Sequence, residues 1–123
     1  MLVGAFAAML QRSMLEDTLS KIEERLQNSA ALNPAQRADL VKLLAQLKTE
    51  IGQFSKTHQE EAESIASFAE VSAHEAMRQS RNPRLLEHSI GGLKSSVEEL
   101  ETSHPRLAGL VNRLATMLAN MGI

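Results

Sequence analysis

The side chains best suited to chemistry are four histidines, His58, His74, His88 and His104, in a chain that has no cysteine. Without cysteine there is no disulfide, no thiolate metal ligand and no thiol nucleophile, which fits a reducing, cytoplasmic setting. Glu101 and His104 have the Glu-x-x-His spacing that di-iron bundles use. Such a centre needs a second Glu-x-x-His pair and two further inward glutamates. Ser55, Val71 and Leu85 stand three residues before the other histidines, so the second half is missing. Glu70 and His74, at i and i+4, share one helix face with Glu75 nearby, and solvated surface residues have the same spacing. No serine lies in a Gly-x-Ser-x-Gly elbow, and Gly91–Gly92 lacks the spacing of a phosphate-binding loop. These residues predict neither an enzyme nor a resident metal or cofactor.

His104 stands apart, because it occupies a position on an apolar stripe immediately before Pro105. In a structural role, its ring or backbone satisfies free carbonyls at the end of the preceding helix. In a functional role, it is a pH-sensitive or ligand-contacting group. Pro105 is a candidate hinge, since proline lacks an amide hydrogen and disfavours helix in the residue before it.

The elements that carry these residues read as helices. Eighteen leucines supply the apolar load, while Phe6, Phe54 and Phe68 are the only aromatic residues. Leu, Ala, Glu, Lys and Gln favour helix, whereas strands favour β-branched and aromatic residues. Leu15, Leu19, Ile22 and Leu26 step by four, three and four, predicting a first helix over 15–28. Asn33, Pro34 and Gln36 form a start signal with a capping box for a second helix. Its stripe is Leu40, Leu44, Leu47, Ile51 and Phe54, so the first two helices make a hairpin. Gly52 and the polar 55–57 stretch interrupt the chain, and Thr57 with Glu60 has the pattern of a second capping box. The third helix has a seam of small residues, Ala62, Ala66, Ala69, Ala73 and Ala76, flanked by Ile65, Phe68, Ser72 and Met77. Such a seam lets a neighbouring helix approach closely.

Asn82 and Pro83 repeat the start device. Beyond them Leu86, Ile90, Leu93, Val97, Leu100, His104, Leu107, Val111, Leu114, Leu118 and Met121 alternate four and three without a slip. Ile90, Val97 and Val111 share one heptad position and Leu93, Leu100, Leu107 and Leu114 the other, the pattern of parallel two-stranded coiled coils. The chain either turns at 102–104 or continues through Pro105 as one kinked helix. Because a turn has no reason to preserve heptad phase, the spacing favours the kink. Met117 and Met121 fill gaps in a core or interface, and Gly122 with Ile123 has the pattern of a helix C-cap.

From Met14 onward the chain resembles an uncharacterised bacterial family of small helical proteins, domain of unknown function 4404. Ser103–His104–Pro105–Arg106–Leu107 and the ending Leu118–Ala119–Asn120–Met121–Gly122–Ile123 carry the resemblance. Ala62–Glu63–Ser64–Ile65–Ala66, His74–Glu75–Ala76 and Asn82–Pro83 resemble a longer subgroup of it. The resemblance reaches about nine-tenths of the chain. It implies a helical bacterial protein and brings no activity, cofactor or catalytic residue with it.

Residues 1–13 lie outside that resemblance. Met1 to Leu10 is apolar and Gln11, Arg12 and Ser13 end the run. Ten residues are about half of a spanning helix, and no basic leader precedes them as in a signal peptide. They read as an apolar arm or a mis-assigned start before Met14, with a peripheral membrane anchor as the alternative. Net charge is −2, no long segment is strongly basic, and stacking aromatics are scarce, so nucleic-acid binding is not expected. The expectation is an all-α bundle of four to five helices over 14–123, with coiled-coil-like packing. It is a non-enzymatic homodimer whose interface is Leu93, Val97, Leu100, Leu107, Val111, Leu114 and Leu118. The competing reading is a small-ligand or metal-binding bundle.

Overall fold

A computed structural model of the protein describes residues 2–121, with side chains described over 14–121. The described residues form five α-helices and no strand: α1 (Leu2–Gln27), α2 (Pro34–Phe54), α3 (Gln59–Met77), α4 (Pro83–Glu98) and α5 (Pro105–Met121). The first helix is longer than its stripe predicts, because its backbone runs unbroken through 2–13. The side chains of that apolar stretch, and the C-cap expected at Gly122 and Ile123, lie outside the described residues.

The Asn–Pro starts form as the sequence predicts. Asn33 Oδ1 accepts from Gln36 N at 2.8 Å and Gln36 Oε1 accepts from Asn33 N at 3.1 Å, so both halves of the capping box are made. Asn82 Oδ1 accepts from Leu85 N at 3.1 Å at the head of α4. The Thr57–Glu60 box is not formed. The N-cap is His58, one residue later, with no side-chain cap bond. Thr57 Oγ1 faces back to Phe54 O at 3.4 Å and lies 2.7 Å from His58 Nδ1.

Pro105 corrects the kinked-helix expectation. Helix α4 ends at Glu98, residues 99–104 form a turn, and Pro105 is the first residue of α5. The turn keeps helical hydrogen bonding inside it: Leu100 N donates to Val97 O at 2.9 Å and His104 N to Leu100 O at 2.7 Å. An i to i−4 bond across the reversal preserves the count of four. The heptad phase therefore survives a turn, and its continuity was no evidence for a single helix.

The packing is mostly between neighbours in sequence, α1 on α2, α3 on α4 and α4 on α5, closed by α5 on α2 and α3 and by α1 on α3. One core runs through the molecule. Leu15, Leu19, Ile22 and Leu26 of α1 meet Leu40, Leu44, Leu47 and Ile51 of α2 there, with the whole alanine seam of α3. At one end stand the α1–α2 and α3–α4 connections, at the other the α2–α3 and α4–α5 connections. No helix among the described residues is long and apolar enough to cross a membrane.

Candidate functional site

The residues expected to face a second copy are spent inside the chain. Leu93, Val97, Val111, Leu114 and Leu118 are fully buried, and Leu107 is nearly so. Leu100 is partly buried against the same core. The cause is the 99–104 turn: it folds the long stripe into two halves that join one interior. An interface between copies would need another surface.

His104 lies at the α4–α5 connection, where its backbone N–H donates to the Leu100 carbonyl inside the turn rather than to a carbonyl of α4. Its ring joins a three-ring cluster that the spacing did not reveal. His58 stacks on Phe54 with centroids 4.6 Å apart and planes 3° from parallel. His104 stands edge-on to Phe54 at 4.9 Å and to His58 at 5.1 Å. Each imidazole turns Nδ1 to a neighbouring hydroxyl, Thr57 Oγ1 for His58 and Ser103 Oγ at 3.0 Å for His104. Beside them Arg106 Nε pairs with Glu50 Oε1 at 2.8 Å, tying α5 to α2. The cluster closes the core at this end and locks three elements together. Glu101 is solvent-exposed. Among the described residues no group of three or more His, Asp or Glu is placed to hold a metal ion.

The opposite end holds what sequence reasoning missed. Arg25, His74, Arg78 and Arg81 line an open cavity of about 760 Å³ between the ends of α1 and α3, with Asn28, Ser29 and Gln79. Arg25 Nη1 donates to His74 Nδ1 at 3.3 Å, so the unprotonated ring nitrogen is the one facing α1. His74 Nε2 lies 3.9 Å from Glu75 Oε2 and Arg78 Nη1 donates to Glu75 Oε1 at 2.7 Å. Glu75, which spacing suggested as a surface carboxylate, is buried at 8% exposure. A signal was present in 78–84, where Arg78, Arg81 and Arg84 occur with no acidic residue. Charge summed over longer segments cancels them against the glutamates of α3.

A third surface is apolar. Phe68 is 41% exposed, Val71 47% and Leu85 44%. They lie along the outer side of the α3–α4 pair, the most closely packed pair of helices. Gly92 matters to this face. A Cβ there would come within 2.4 Å of the Phe68 ring, so only glycine lets the ring lie against the α4 backbone.

Compared with known families, residues 40–123 match Domain of unknown function (DUF4404). The match takes in every segment that carried the resemblance and covers about two thirds of the chain, less than the reach expected from Met14. Helix α1 and residues 34–39 of α2 lie outside it. No curated protein and no solved structure matches the chain.

Proposed function

The chain belongs to the family described as Domain of unknown function (DUF4404), and from that premise we propose that it is a non-enzymatic helical module that associates with a second copy of itself through the outer face of α3 and α4. The observation that supports this reading is the exposure of Phe68, Val71 and Leu85 together, while the remaining large apolar residues with described side chains, apart from Met14, are buried or partly buried. Covering apolar surface contributes about 25 cal/mol per Å², and a contiguous exposed patch is the common mark of an interaction surface. Two antiparallel helices present a face that is matched by its own copy under a two-fold rotation, the commonest symmetry of soluble oligomers.

Light scattering on the full chain across micromolar concentrations tests the proposal. The expected mass is that of a dimer, and Phe68→Glu with Val71→Glu should return it to a monomer with unchanged helix content. A wild-type monomer at every concentration, or a dimer indifferent to both substitutions, would overturn it.

A further inference from the structure

We infer that the arginine-lined cavity between the ends of α1 and α3 is a binding site for a phosphate dianion, either inorganic phosphate or the phosphate group of a small phosphomonoester. The residues lining the cavity include three guanidinium groups and no carboxylate. Their charge balance sets the ligand's charge. Glu75 matches Arg78 through the 2.7 Å bond. Arg25 bonds only to His74 Nδ1, and Arg81 makes no hydrogen bond or ion pair among the described residues. Arg25 and Arg81 thus face one concave surface without a carboxylate partner, Glu24 and Glu70 lining only the adjoining groove that Arg25 shares, and this suits an anionic ligand.

All three charged lining residues are arginine, and none of the chain's five lysines lines the cavity. A planar guanidinium donates two parallel N–H groups to an oxyanion, where an ammonium offers only a point charge. Guanidiniums from α1 and from the stretch after α3 suit a tetrahedral group with several oxygens better than a planar carboxylate with two. Two carbonyls of the loop after α1 are already occupied. Arg37 Nη2 donates to Ser29 O at 2.8 Å and to Leu32 O at 3.2 Å, taking up carbonyls of the loop that forms one rim.

Cations near helix C-termini are favourable on dipole grounds alone, which accounts for Arg25 in the last turn of α1 and Arg78 at the end of α3. That account does not extend to Arg81, which lies beyond the end of α3 and faces the same cavity. Nor does it explain the absence of carboxylates from the lining.

Titration of the full chain with sodium phosphate and, separately, glycerol phosphate, followed by amide NMR at pH 7.5, tests the site. Sodium chloride at matched ionic strength is the reference. The expected result is a saturable shift centred on Arg25, Ser29, His74 and Arg81, produced by both phosphates and not by chloride. Arg25→Gln with Arg81→Gln should weaken it at least tenfold, whereas Lys94→Gln with Arg113→Gln, the same loss of charge away from the cavity, should leave it unchanged. Both altered arginines are exposed, and if the pair fails to fold, Arg81→Gln alone decides, with a loss of at least threefold expected. No saturable shift, an equal response to chloride, or equal weakening in the control variant would overturn the proposal.

Discussion

Ser72 shows how finely the α3 seam is built. Its hydroxyl is buried with no hydrogen-bond partner among the described residues, at a position flanked by fully buried alanines. An unpaired buried hydroxyl costs about 1–3 kcal/mol relative to a paired one. Ser72→Ala should therefore raise stability by about 1 kcal/mol, seen as a higher urea midpoint with an unchanged slope. The spacing of the alanines made the seam legible, because small residues at four and three can only be a close-approach face. The three-ring cluster of Phe54, His58 and His104 was not legible. Phe54 and His104 are fifty residues apart in sequence, and the turn that brings them together leaves no mark in the spacing of either. Thr57 misled for a different reason. Its hydroxyl is a good cap by type, yet it points back to the carbonyl of Phe54, and the helix opens one residue later.

Among the elements, α2 and α4 were the most legible, because asparagine followed by proline states a helix start in local chemistry that needs no tertiary partner. The reciprocal bonds of Asn33 and Gln36 make this quantitative. Asn33→Ala should cost about 1 kcal/mol of stability, measured by denaturant unfolding. Gln36→Ala should cost less, since it leaves the Asn33 side-chain bond in place. The α4–α5 boundary was the least legible, because its turn is built from the same hydrogen bonds as a helix. Pro105 supplied the true signal, as the first residue of a new helix, and the unbroken phase outweighed it wrongly. Pro105→Ala tests whether the proline or the turn sets the reversal. With the 99–104 bonds intact, α5 should still fold back, and circular dichroism should show the same helix content within error.

For the molecule as a whole, the long apolar stripe over 86–121 marks positions that are buried, or half-buried at Leu100, His104 and Met121, and leaves their partner open. Heptad spacing states that a face is covered and does not state by which chain. Leu114 illustrates the distinction, being fully buried within one chain. Leu114→Ala should lower stability by about 2–5 kcal/mol, as large-to-small changes in packed interiors do. It should leave the oligomeric state of the folded fraction unchanged, which sedimentation of the variant at several concentrations would show. The arginine cavity was legible only in part, through the basic stretch 78–84. Its residues come from positions 25, 78 and 81, and only the folding of α1 beside α3 gathers them.

The position of α5 has a consequence for how the protein is made. Leu107, Val111, Leu114 and Leu118 fill space against α2, α3 and α4, so a growing chain that stops short of residue 105 has three helices with an open apolar seam. Until residues 105–121 have been translated and released from the ribosome, those helices have no finished interior. The core therefore cannot be completed before α5 has been made, and a nascent chain stalled before α5 is the form that would need a chaperone.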